Sequence, residues 1–145
     1  MKPKPVRRQK KQTTSNVLFL GLNVLFLSAL PVLGAFQLAL KTANLLPLFL
    51  YPMMSVITFA LYANDKARAK QNQWRIPENS LHLVELMGGW LGGYIAQRVI
   101  RHKNKKISYQ LVFWAIVVLH LALWLDWFVS GGTLTELLFN GIFQK

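Results

Sequence analysis

Cysteine is absent from the 145 residues. That excludes disulfide staples, thiol catalysis and Cys-ligated zinc. Acidic residues are scarce: five Asp and Glu face seventeen Lys and Arg, for a formal net charge of +12. Charged residues make up only 15% of the chain, against roughly 25% in soluble domains, so an ordinary water-soluble globule is excluded. No Walker, nucleophile-elbow or zinc-protease pattern occurs, and no reaction class follows from a motif. What is abundant is apolar, at 53% of residues, which excludes disorder over most of the chain. The composition fits a small all-α integral membrane protein with a basic aqueous face.

The apolar residues fall into runs. Run 17–40 carries no charge. At ~1.5 Å rise per residue it is long enough for a hydrocarbon core of ~30 Å, and Pro31 is tolerated there as a kink. The run is too long for a typical signal-peptide core and lacks a good small-x-small cleavage site, so it reads as a retained span. Run 45–63 begins just past Lys41, Thr42 and Asn44, so the first two spans are antiparallel neighbours. Pro47 suits a first helical turn, and Pro52 bends the helix. Run 107–125 is a third span, with His120 its only titratable side chain apart from Tyr109. Trp124 and Trp127 mark one of its ends, and Tyr109 and Trp114 lie toward the other. Run 81–97 is short for a span and contains His82, Glu85, Gly88, Gly89, Gly92 and Gly93.

Charge chooses between two topologies. Lys and Arg beside a span favour the cytoplasm. They cluster in 1–16, in 64–80 and in 98–108. If 81–97 crosses fully, as a fourth transmembrane helix, the third cluster lies outside. If it dips in and returns, all three clusters lie inside, leaving only Lys41 and Lys145 outside. We therefore read three transmembrane helices plus a glycine-rich re-entrant or interfacial helical hairpin, four transmembrane helices being the alternative. The chain divides into a basic cytoplasmic tail (1–16), a helical hairpin (17–63), a region holding the re-entrant segment and last span (64–128) and a short interfacial segment (129–145).

Within the short run, Gly88 and Gly92 are four apart, as are Gly89 and Gly93. Such spacing lets another backbone approach closely, although Gly88-Gly89 also suits a turn. Glu78, His82 and Glu85 recur at i, i+4, i+7 and fall within ~60° on one helix face. They could shuttle a proton or bind a metal. The simpler reading is a polar interfacial face whose carboxylates pair with nearby Arg or Lys. The spacing matches no recognised metal motif, and no metal or cofactor is expected. His102-Lys103-Asn104-Lys105-Lys106 is a compact cationic cluster that could hold phosphate or simply retain its loop inside.

One ordered series of residues is familiar. It runs Tyr62, Asp65-Lys66, Ala69, Arg75-Ile76-Pro77-Glu78, Leu81-His82, Gly88-Gly89, Gly92, His102-Lys103 and Lys106. Over about residues 62–106 it resembles the small bacterial membrane family called domain of unknown function 1294. The resemblance implies an inner-membrane protein with no established activity. Some relatives carry an N-terminal cold-shock domain, and residues 1–16 look like a basic linker that could follow one. The family supplies no catalytic assignment. Its motif supplies ligand-binding candidates: Asp65, Lys66, Arg75, Glu78, His82, His102, Lys103 and Lys106.

Three functions are compatible with these residues. The first is a binding module for anionic lipid head groups or another phosphate-bearing ligand at the cytoplasmic face, which needs no catalytic constellation. The second is a membrane enzyme or small transporter using Glu and His chemistry. The third is a nucleic-acid tether through the basic tail. That tail has no aromatic residue for base stacking, so membrane lipid is the preferred partner. The glycine face also suits a homo-oligomer.

Overall fold

A computed structural model describes residues 6–100 and 106–133, with side chains from residue 16 onward. The helices are α1 (Val6–Thr42), α2 (Leu46–Lys70), α3 (Glu78–Val84), α4 (Trp90–Val99) and α5 (Ile107–Ser130), with a π turn over Glu85–Gly89 between α3 and α4. No strand occurs among the described residues. Three stretches are long and apolar enough to cross a membrane: Asn16–Thr42, Leu46–Lys70 and Ile107–Ser130. Their apolar side chains largely face outward, including Phe19, Leu25, Phe26, Phe49, Val56, Leu111 and Val118. A water-soluble protein rarely exposes so continuous an apolar surface. The protein is an all-α membrane protein, as the composition indicates.

Helix α1 starts at Val6, so the backbone of the basic stretch before the apolar run is helical. Arg7, Arg8, Lys10 and Lys11 cost a helix little, since straight-chain cations are good helix formers. The interfacial segment expected near the C-terminus lies largely outside the described residues.

The link between α1 and α2 is short. Ala43 takes a positive φ of 55°, and Asn44 Oδ1 accepts from the Leu46 N–H at 3.0 Å. That bond satisfies a backbone donor that Pro47, lacking an N–H, does not compete for. Pro31, Pro47 and Pro52 line an apolar cavity of about 320 Å³ together with Ala35, Tyr51 and Trp90. Prolines keep helices from closing smoothly on each other, so a gap at that place is expected.

The core lies where α2, α4 and α5 meet. Tyr62, Leu81, Trp90, Tyr94, Ala96, Tyr109, Phe113 and Val117 are buried in it. Packing of α4 on α2 is backbone against backbone. A Cβ at Gly92 would collide with the Ser55 carbonyl, and one at Gly89 with Thr58 Oγ1 and the Met54 carbonyl. The small-residue spacing thus does what close helix packing requires. Gly88 has another role. Its φ is 107°, a conformation that L side chains rarely adopt, and the helical direction breaks there.

The course of 76–100 follows from its contacts with α2. The Ile76 N–H meets Asp65, and Glu85 meets Tyr62. Gly88 lies beside Tyr51, and Gly92 lies against Ser55. Gln97 then returns to Tyr62, and the Ile100 carbonyl accepts from Lys66 Nζ. Both ends of the stretch therefore meet the same end of α2. Tyr51 is roughly 21 Å from that end at ~1.5 Å per residue.

Candidate functional site at the charged end of the bundle

The C-terminal end of α2 gathers most of the sequence candidates that the structure describes. Asp65 is fully buried. Its Oδ1 accepts from the Ile76 N–H at 3.0 Å, and its Oδ2 meets Arg75 Nη2 at 3.1 Å. That hydrogen bond, with the nearby negative charge, raises the Arg75 pKa above its ordinary value. The pair pins the 71–77 loop to α2. Lys66 donates to the carbonyl of Ile100, the C-cap of α4. A cation there also complements the helix dipole. Glu78 opens α3 and pairs with Lys106, the N-cap of α5, at 2.7 Å. Both partners are partly exposed, so the bond contributes about 0–1 kcal/mol, enough to set register but little stability.

Deeper lies a buried polar cluster. Tyr62 and Glu85 have no exposed surface. The Tyr62 hydroxyl donates to Glu85 Oε1 at 2.5 Å and lies 2.5 Å from the Tyr109 hydroxyl. Tyr109 also reaches Glu85 Oε1 at 3.1 Å. Gln97 Nε2 donates to the Tyr62 hydroxyl at 3.1 Å, and Gln110 Nε2 donates to Gln97 Oε1 at 2.7 Å. His82 Nδ1 is 2.7 Å from Glu85 Oε2. The His82 ring stacks on Tyr109, with centroids 4.1 Å apart and planes 30° apart. Residues from α2, α3, α4, α5 and the π turn thus converge on one carboxylate.

The expected face of Glu78, His82 and Glu85 is divided. His82 joins Glu85, whereas Glu78 turns to Lys106. Glu85 pairs with an imidazole and two phenols, not with Arg or Lys as the simpler sequence reading had it. The cause is depth: Glu85 sits inside the bundle, where long cationic stems would have to bury their charge. Among the described residues no three His, Asp or Glu side chains form a group that could hold a metal. His120 bonds the Ile116 carbonyl and the Leu86 backbone and packs against Tyr51 and Trp90. His102 and Lys103 lie outside the described residues.

Sequence reasoning did not assign Gln97, Tyr109 or Gln110 to the site, nor count Glu85 among its ligand-binding candidates. A signal was available. Polar groups in apolar helices must find partners, and five such residues from four segments can satisfy one another.

Residues 55–109 match the family model described as "Protein of unknown function (DUF1294)". The match agrees with the resemblance read from the motif series and spans the whole polar cluster except Gln110. "Uncharacterized protein YsdA" of Bacillus subtilis (strain 168) is 33% identical over 58 residues, which are 40% of this chain and 65% of that protein. The chain thus aligns with slightly under two thirds of that relative's length. No solved structure matches.

Proposed function

We propose that this chain is a three-span protein of the bacterial inner membrane that binds anionic lipid head groups at its charged end. In this reading that end is cytoplasmic, as is the N-terminus, and 76–100 enters and leaves the membrane on the same side. One observation carries it. Among the described residues Lys66, Arg68, Lys70, Arg75, Arg98 and Lys106 gather at one end, tied together by the contacts above, while Lys41 lies at the other. Lys and Arg beside spans favour the cytoplasmic side.

The cations divide by role. Lys66, Arg75 and Lys106 are engaged by Ile100, Asp65 and Glu78 and hold the loops in place. Lys70 and Arg98 are exposed, with the Arg98 guanidinium set 4.1 Å from the Tyr94 ring centroid. Arg101, His102, Lys103 and Lys105 follow Arg98 in sequence. Trp74 is 86% exposed beside Arg75, as suits an indole at the head-group level. Each basic residue near an anionic leaflet contributes about 1 kcal/mol before screening.

The test is lipid retention by the purified protein in native mass spectrometry, with phosphatidylglycerol against phosphatidylcholine. Phosphatidylglycerol should be preferred. Combining Lys70→Ala, Arg98→Ala and Lys103→Ala should reduce that preference by roughly tenfold or more. Equal retention of the two lipids, indifferent to salt, would refute the reading.

A further inference from the structure

The hydrogen bonds around Glu85 form a connected chain that ends on its two oxygens. Gln110 donates to Gln97, and Gln97 donates to the Tyr62 hydroxyl. Tyr62 donates to Glu85 Oε1, and Tyr109 lies within reach of both the Tyr62 oxygen and Oε1. A phenol has one proton to give. Both phenolic protons therefore run toward Oε1, directly or through one hydroxyl. Gly93 leaves the space that Oε1 occupies, since a Cβ there would stand 2.9 Å from it. Two phenols thus meet one oxygen of the carboxylate. Its other oxygen, Oε2, faces His82 Nδ1 at 2.7 Å. With Glu85 ionised the carboxylate only accepts, and Nδ1 then carries the hydrogen. In a neutral imidazole the nitrogen without a proton is then Nε2.

We propose that His82 Nε2 is a general base serving the charged end of the bundle, with Glu85 as its positioning residue. The class of substrate is a water molecule, or a hydroxyl of an anionic ligand drawn by the cations of that end. In the step, the O–H bond breaks, the proton moves to Nε2 and the electron pair stays on oxygen. The imidazolium so formed keeps its Nδ1–H on Glu85, whose negative charge offsets it. The same carboxylate–imidazole order orients catalytic histidines on unrelated folds. His82 is suited to the role by setting as well as by partner. Its side chain keeps 13% exposure, and the stack on Tyr109 fixes the ring. Tyr62 from α2 and Tyr109 from α5 face the pair, and Gln97 from α4 bonds Tyr62 behind it. Glu78, paired with Lys106 at the start of α5, lies one turn earlier on α3. The inference stands apart from lipid retention, and either can fail without the other.

The experiment reads the tautomer directly. The full chain has three histidines, so nitrogen NMR of histidine-labelled protein in micelles is assignable with His102→Gln and His120→Gln. In the neutral form of His82 the hydrogen should sit on Nδ1. A hydrogen on Nε2, which would make Glu85 the proton carrier, overturns the proposal, and so does a persistent imidazolium. This readout uses native His82 and Glu85 and does not depend on a site variant folding. Diethyl pyrocarbonate, which acylates an unprotonated imidazole nitrogen, supplies a second readout located by mass spectrometry. Glu85→Gln keeps the shape and removes the charge. It should slow acylation of His82 by roughly fivefold or more. An unchanged rate in a folded E85Q protein would leave Glu85 with a packing role only and overturn the assignment.

Discussion

At the residue scale, two carboxylates a short distance apart in sequence have unequal structural weight. Asp65 is buried and accepts from a backbone N–H and a guanidinium at once. Glu78 makes its ion pair at the partly exposed rim. Removing a buried acceptor leaves its donors unsatisfied, at a cost of about 1–3 kcal/mol. Removing one side of a rim pair costs about 0–1 kcal/mol. Asp65→Ala should therefore lower the unfolding midpoint in detergent clearly, while Glu78→Ala should barely move it. Equal shifts in the two variants would mean that Asp65 does not hold the 71–77 loop. The sequence singled out both residues but could not rank them, because burial depends on helices that are distant along the chain.

At the element scale, the decisive position is the break between α3 and α4. A Cβ on Gly88 would meet only Tyr51 ring atoms, at ordinary contact distances of 3.6 Å or more. Its backbone, not its space, demands glycine. Gly88→Ala should destabilise the protein by about 1–3 kcal/mol, with Gly88→Asn less costly because Asn tolerates positive φ better. A thermal melt followed by helical circular dichroism measures both, and equal costs would point to packing instead. Elements of this kind were partly legible. The three long apolar runs announce themselves by length and lack of charge, and the glycines announce either a turn or a contact. Which glycine does which was not legible: Gly88 turns while Gly89 and Gly92 touch α2, and only the path of the chain separates them. The cluster around Glu85 was hidden for a related reason. Tyr62, Gln97 and Tyr109 look like ordinary residues of apolar helices until those helices lie side by side.

At the scale of the whole molecule, the charged end sets an orientation that labelling can read. The chain has no cysteine, so each introduced one is a unique reporter. Thr42→Cys sits at the Lys41 end, and Gln73→Cys sits in the loop held by Asp65 and Arg75; both positions are exposed. A membrane-impermeant maleimide added to intact cells should label Thr42→Cys and spare Gln73→Cys and Asn104→Cys. Labelling of Asn104→Cys from outside, with Gln73→Cys spared, would require 81–97 to cross completely. The arrangement around Glu85 also bears on biogenesis. During synthesis the carboxylate emerges with Tyr62 and His82 already made, but Tyr109 lies 24 residues further on. The polar centre therefore stays incomplete until α5 has been delivered, so this later span locks the two before it together.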